Sequence, residues 1–199
     1  MGKIFCLMGK SATGKDTIYA QLFERNQSKL KKIISYTTRP IREGEEPGRE
    51  YIFCDEDKLQ CLMDAGKIIE HRTYQTVYGP WHYFTADDGQ FDLNRDNYLT
   101  IGTLEMYLGL ASYFGKEKVL PIYVEVEDGE RLMRAIAREQ SQCIPKYEEM
   151  CRRFLADAAD FADEKLISAG ISMRFVNDSV EETVQQIEDY IAREVANGN

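Results

Sequence analysis

Ile4-Phe5-Cys6-Leu7-Met8-Gly9-Lys10-Ser11-Ala12-Thr13-Gly14-Lys15-Asp16-Thr17 is the stretch that decides the fold class. Its first five residues are all apolar, as in a strand covered on both faces. Residues 9–15 then fit G-x-x-x-x-G-K, and Ile18, Leu22 and Phe23 recur at helical spacing. Strand, glycine-rich loop and helix in that order make a cradle for phosphates. The glycines let the chain turn tightly so that successive N–H groups point inward, the helix N-terminus adds positive potential, and Lys15 reaches the β- and γ-phosphates. Gly9, Ser11, Ala12, Thr13, Gly14 and Lys15 are therefore expected to bind the phosphates of ATP. Asp16 stands where the loop usually places a Mg²⁺-binding hydroxyl, and Thr17 follows it. Two roles are open to Asp16, coordinating the metal as a carboxylate or capping the helix.

Outward from this stretch, strand and helix alternate, the mark of a parallel sheet with helices on its faces. Residues 98–101 read as a buried strand leading into an apolar helix near 103–114. The β-branched run at 119–126 precedes a helix through Leu132, Ile136 and Ala137. Ser179 with Glu182 forms a capping-box pattern, after which Val180, Val184, Ile187, Ile191 and Val195 mark one face of a last helix. Between about 34 and 97 the alternation breaks into a Gly-, Pro- and Arg-rich stretch, strand-like runs at 51–53 and 67–74, and a helix near 55–65. That segment reads as an insertion with its own small sheet. Residues 140–146, with Pro145, read as a loop between two helices.

The 199 residues carry 25 Lys+Arg against 34 Asp+Glu, a net charge of −9, with 43% hydrophobic residues. Length and composition fit one globular domain with a sizeable core. The acidic balance argues against a protein that coats nucleic acid, which requires an excess of cations, but leaves room for a local arginine cluster around a small phosphorylated ligand. No run approaches the about 18 apolar residues of a membrane span, and no signal-peptide core precedes a cleavage site, so neither membrane insertion nor export is expected. Five cysteines, odd in number and without a C-x-x-C pair, indicate neither a disulfide framework nor a zinc ribbon, and the expected compartment is the reducing cytoplasm.

A second motif is Ser35-Tyr36-Thr37-Thr38-Arg39-Pro40-Ile41-Arg42-Glu43-Gly44-Glu45, continuing to Gly48-Arg49-Glu50-Tyr51. Two guanidiniums three residues apart and a tyrosine hydroxyl suit charge-assisted bonds to a phosphate. With the phosphate loop upstream, the sequence resembles the guanylate kinase family. The resemblance implies a three-layer α/β P-loop NTPase core with a parallel sheet, a nucleoside-monophosphate-binding insertion at 36–96 and a helical lid at 134–153, leaving 1–35 and 97–199 as the core. It implies that Ser35 and Glu70 face the guanine edge of GMP, and that Arg39, Arg42, Tyr51 and Tyr78 hold its phosphate. A carboxylate suits guanine, whose N1–H and exocyclic amine are both donors. The resemblance further makes Arg134, Arg138 and Arg153 the lid arginines over the transferring phosphate, with Arg152 a rival for the last place. Asn177, in Val176-Asn177-Asp178, is placed near the ATP base. The implied activity is ATP- and Mg²⁺-dependent phosphorylation of GMP to GDP.

Two departures mark the acceptor side. Pro80 replaces the serine usual after Tyr78-Gly79, and Thr100 and Gly102 stand where the family carries acidic residues that help read guanine and organise the metal. The Gly-Lys-Asp form of the loop also resembles ribose 1,5-bisphosphate kinases, and a non-catalytic guanylate-kinase-like binding module is a third reading. His71 and His82 lack partners at metal-ligand spacing, Trp81 reads as packing, and Cys61 and Cys151 read as small apolar helix residues.

Overall fold

The computed structural model describes residues 1–25, 29–42, 44–76 and 78–197; Glu43 of the arginine motif lies outside the described residues. The elements in chain order are β1 (Ile4–Met8), α1 (Lys15–Arg25), β2 (Lys31–Lys32), β3 (Tyr36–Thr37), β4 (Ile52–Phe53), α2 (Glu56–Asp64), β5 (Ile68–Thr76) and β6 (Gly79–Ala86). They continue with β7 (Tyr98–Gly102), α3 (Leu104–Phe114), β8 (Val119–Glu125), α4 (Asp128–Gln140), α5 (Tyr147–Asp160), α6 (Asp163–Ser168), β9 (Arg174–Val176) and α7 (Val180–Asn197).

β1 is the centre of a parallel five-stranded sheet ordered β2-β7-β1-β8-β9, with Ile4 opposite both Tyr98 and Val119. Its side chains alternate between two cores, as strand geometry requires. Ile4, Cys6 and Met8 join Leu104, Tyr107 and Leu110 of α3 and Leu166 of α6, whereas Phe5 and Leu7 join Ile18 and Leu22 of α1 and Val184, Ile187 and Ile191 of α7. Three layers result. Because β1 lies between β7 and β8, the strand order reverses at its carboxyl end, which is where open α/β sheets bind ligands.

A second sheet, ordered β4-β3-β6-β5, is built from residues between β2 and β7 and covered by Leu59 and Leu62 of α2. The long hairpin β5–β6 carries most of it, and β5 also packs on α3. Thr103 caps α3 by accepting from the Met106 N–H at 3.3 Å, and Asp55 caps α2 by accepting from the Lys58 N–H at 2.8 Å. Ser179 Oγ accepts from the Glu182 N–H at 3.5 Å, the Ser half of the expected capping box. Cys61 and Cys151 do lie in helices, α2 and α5, but on their exposed sides, so they do not serve as apolar packing.

Candidate active site

The loop between β1 and α1 is shaped by three backbone requirements. Gly14 has φ +81°, and a Cβ there would stand 2.6 Å from Asn177 Nδ2. A Cβ on Gly9 would stand 2.6 Å from the Val124 carbonyl oxygen of the neighbouring strand. Ala12 takes the left-handed conformation at φ 63°, uncommon for a residue with a Cβ. The loop is tied together by Thr13, whose hydroxyl donates to the Lys10 carbonyl at 2.9 Å, and by Asn177, whose amide donates to the Thr13 carbonyl at 2.7 Å. Asn177 is buried and its Oδ1 accepts from Thr183 at 3.3 Å, so its side chain braces the loop from behind.

Lys15 is largely buried, and burial lowers its pKa against the opposing pull of Asp16 and Asp157; Arg153 and Arg138 lower it further. Asp16 is 86% exposed, 3.9 Å from Lys15 Nζ. An open carboxylate in the first turn of α1 suits Mg²⁺, which takes one or two carboxylates together with substrate phosphates and keeps its waters, and Thr17 beside it is also exposed. Among the described residues no group of three or more His, Cys, Asp or Glu could hold a metal by itself.

The helices α4 and α5 grip this loop at one residue. The Ser11 N–H donates to Asp157 Oδ2 at 2.6 Å, the Ser11 carbonyl accepts from Arg131 Nε at 3.0 Å, and the Ser11 hydroxyl lies 3.2 Å from Arg153 Nη2. Arg131 is 1% exposed, donates also to Asp128 and Asp157, and lies over the Phe154 ring. Arg134, on the same helix, donates to Glu130 at 3.0 Å and to the Asn177 carbonyl at 3.4 Å. Arg152 instead pairs with Glu149 in the solvent.

The second sheet presents two further charged centres. Arg39 is 4% exposed; its fork grasps Glu45 at 2.7 and 2.5 Å, and its guanidinium lies over the Tyr51 and Phe53 rings. The Arg39 bond holds the Glu45 carboxyl down at about 2. Among the described residues Arg39 Nε, which is buried, has no hydrogen-bond partner. Arg42 gives its backbone N–H to Glu45 at 2.8 Å while its side chain is exposed, close enough to Glu149 of α5 to help lower that carboxyl. In the other centre Glu70 is buried against α3, where a Cβ on Gly109 would stand 2.4 Å from Glu70 Cβ. Glu70 accepts from Arg72 Nε at 2.9 Å, Arg72 Nη2 at 3.3 Å and Thr85 Oγ1 at 2.7 Å, and Ser35 Oγ lies 3.2 Å from Thr85 Oγ1. Glu70 and Arg72 both act on the Cys6 thiol of β1, which places this centre beside the strand that runs into the phosphate loop.

The guanylate kinase family model matches residues 1–85, which span the phosphate loop, the Arg39–Arg42 motif and Glu70. Over nearly the whole chain, the guanylate kinases of Anaplasma phagocytophilum and Porphyromonas gingivalis are 25% and 26% identical, each across 98% of this chain and across 88% and 100% of their own lengths. Along nearly its whole length the chain is similar to guanylate kinases. The guanylate kinase of Enterococcus faecalis is 33% identical over 93 residues, 45% of this chain and 46% of its own. The crystal structure of the Anaplasma phagocytophilum guanylate kinase shares the fold, with a TM-score of 0.68 at 22% identity over 97% of this chain and 86% of that one.

Against the family pattern, the expected residues fall into three groups. Lys15, Ser11, Arg153 and Arg138 gather at the phosphate loop, and Ser35 with Glu70 share one buried network. Arg39 and Tyr51 are in contact, but Glu45 occupies the guanidinium fork. Tyr78 stands apart: it is 83% exposed and stacks on Trp81, so Trp81 is a partner for a ring and not interior packing alone. At Gly102, where the pattern has a carboxylate, Met106 occupies the space, its Sδ 2.3 Å from where a Cβ would stand. Three residues escaped sequence reasoning. Arg131 precedes Arg134 by one helical turn and Asp157 follows Arg153 by one, so helical spacing carried a signal for both, while Arg72 had only its place two residues after Glu70. His71 and His82 form a cross-strand pair with ring nitrogens 2.9 Å apart, a proximity invisible in their spacing.

Proposed function

We propose that this protein transfers the γ-phosphoryl group of ATP to the phosphate of GMP, giving ADP and GDP. The observation that carries the reading is a phosphate loop with a largely buried lysine at the switch point of a parallel sheet, together with a buried carboxylate on a second sheet, beside the strand that enters the loop, whose chemistry suits guanine's two donors. The loop N–H groups and Lys15 hold the ATP phosphates, Arg39, Arg42 and Tyr51 aim the phosphate of GMP, and Glu70 reads the N1–H and exocyclic amine. Residues 36–96 act as the monophosphate-binding insertion and 134–153 as the lid, moving over the core to exclude water. Tyr78 joins the acceptor phosphate when the insertion closes.

Phosphoryl transfer rests on positioning and charge neutralisation, so direct in-line attack needs no covalent intermediate and no dedicated protein base. Arg134, Arg138 and Arg153 neutralise the transferring group. Mg²⁺, held by Asp16 and Thr17 together with the ATP phosphates, supplies further charge neutralisation when bound. Asp157 and Glu45 already occupy donors beside each phosphate site, so binding exchanges one anion for another at a group kept oriented in the free protein. A coupled assay with ATP-Mg²⁺ against GMP, dGMP, AMP, UMP and ribose 1,5-bisphosphate tests the reading. Turnover with GMP and dGMP is expected; transfer to the bisphosphate alone, or GMP binding without turnover, overturns it.

A further inference from the structure

Ser11 of the phosphate loop is held by α5 through charges of both signs. Its N–H donates to Asp157 Oδ2 at 2.6 Å, and its hydroxyl lies 3.2 Å from Nη2 of Arg153, one helical turn earlier. The same Asp157 oxygen faces Arg131 Nη2 at 3.4 Å, and the carboxylate acts on Lys15 as a neighbouring negative charge. A loop N–H with an ammonium and two guanidiniums around it is what a phosphate seeks. In the free protein a carboxylate of the same chain fills that place.

Two roles would put a carboxylate there, a brace for the loop or an occupant of its anion site, and the bonds on the carbonyl side of the backbone separate them. The Lys10 carbonyl is held by the Thr13 hydroxyl at 2.9 Å, the Ser11 carbonyl by Arg131 Nε at 3.0 Å and the Thr13 carbonyl by Asn177 at 2.7 Å. These bonds fix the loop through groups that a phosphate, an acceptor itself, does not use. Asp157 takes an N–H instead, the kind of group a phosphate needs. Arg131 does not depend on Asp157 for a partner, since Asp128 and the Ser11 carbonyl hold the same guanidinium. The loop therefore keeps its braces without Asp157, whereas its cations lose an offsetting charge: Arg153 and Arg138 oppose the charged form of Lys15, and Asp157 favours it.

We propose that Asp157 is a place-holder for the polyphosphate tail of ATP: it fills the anion site of the empty loop, sets the affinity for nucleotide by competing for the Ser11 N–H, and is displaced when the tail arrives. The tail wins the exchange because it brings several negative charges and three terminal acceptor oxygens against one charge and two oxygens. Arg153, on the same side of α5, is then left facing the incoming anion. The proposal rests on ATP binding at this loop.

The test is calorimetric titration at neutral pH with the Mg²⁺ complex of adenosine 5′-(β,γ-imido)triphosphate, paired with thermal melting of the free protein. Asp157→Ala should bind the analogue about 10- to 100-fold more tightly than wild type, the range that one hydrogen bond to a charged group is worth. The same variant without ligand should melt at a lower temperature, because its cations are left without their anion. Affinity and stability then move in opposite directions, whereas loss of a brace lowers the melting temperature and weakens binding. Binding by Asp157→Ala that is weaker than wild type, or unchanged, overturns the proposal. Should that variant fail to fold, Asp157→Asn keeps an acceptor and drops the charge; it should still bind the analogue more tightly than wild type, and binding no tighter overturns the proposal as well. Failure of the ATP reading shows differently, as wild-type protein and variants that all leave the analogue unbound, and it takes the proposal with it.

Discussion

Asp157 sits at the crossing of two demands. It accepts the Ser11 N–H and faces Arg131, and it is also one of the two carboxylates that raise the pKa of Lys15 against the larger lowering by burial. Replacing it by Asn keeps a hydrogen-bond acceptor but removes that upward pull, so the Lys15 ammonium loses its proton at a lower pH. The alkaline limb of kcat/KM for ATP in Asp157→Asn should therefore move to lower pH than in wild type; a limb that stays in place would remove Asp157 from the electrostatics of the loop. Glu45 shows the opposite sign. Its carboxyl lies at about 2 when bound by Arg39, against 4.5 for an ordinary glutamate, so its contribution to stability is complete above 4.5 and is lost as pH falls through about 2. Glu45→Gln should lower stability by about 1–3 kcal/mol near neutrality. It should also flatten the acid limb of a denaturation series between those two values.

At the scale of elements, the junction of β7 and α3 is where this chain departs from the guanylate kinase pattern. Met106 is buried with its sulfur over Gly102, so a side chain at the strand end would have to displace the methionine. Gly102→Asp should cost about 2–4 kcal/mol in urea denaturation, through overpacking and a carboxylate forced into an apolar corner. Met106→Ala alone should also destabilise, as truncation of a buried side chain does, but the double variant should lose less than the sum of the two single losses, a non-additivity that two independent sites would not show. The elements themselves were unevenly legible. β1, β7 and β8 announced themselves as apolar runs because both of their faces are covered, and α7 through its period. β2 is two exposed lysines and carries no pattern, and it exists because Lys31 N–H finds the Asn97 carbonyl. β6 was missed because Trp81, His82, Tyr83 and Phe84 alternate between a core, a histidine pair and aromatic neighbours, with no polar face to set a period of two. In the site, Lys15 and Arg39 were legible from motifs, which are local. Arg131 and Asp157 act between α4, α5 and the loop, and Glu70 with Arg72 between two sheets, and such partnerships depend on tertiary approach.

Across the whole molecule, the position of Cys6 turns the five cysteines into a stability gauge. It lies in the central strand, paired on both sides, fully buried, and burial pushes its thiol up to about 12. A thiol that is both inaccessible and protonated reacts only when the sheet comes apart. Cys61, Cys143 and Cys151 are exposed and Cys54 is half-buried. Labelling with a maleimide in native buffer should therefore show three rapid modifications and one slower, while Cys6 follows global unfolding. On the proposed function ATP binds the folded chain and not the unfolded one, so a free concentration near 100 times its dissociation constant should slow Cys6 labelling about 100-fold, the ratio that mass action imposes on the unfolded population. The exposed cysteines serve as the internal control, since protection confined to them would report local shielding by nucleotide. A Cys6 rate that ATP leaves unmoved would separate the phosphate loop from the stability of the strand that carries it.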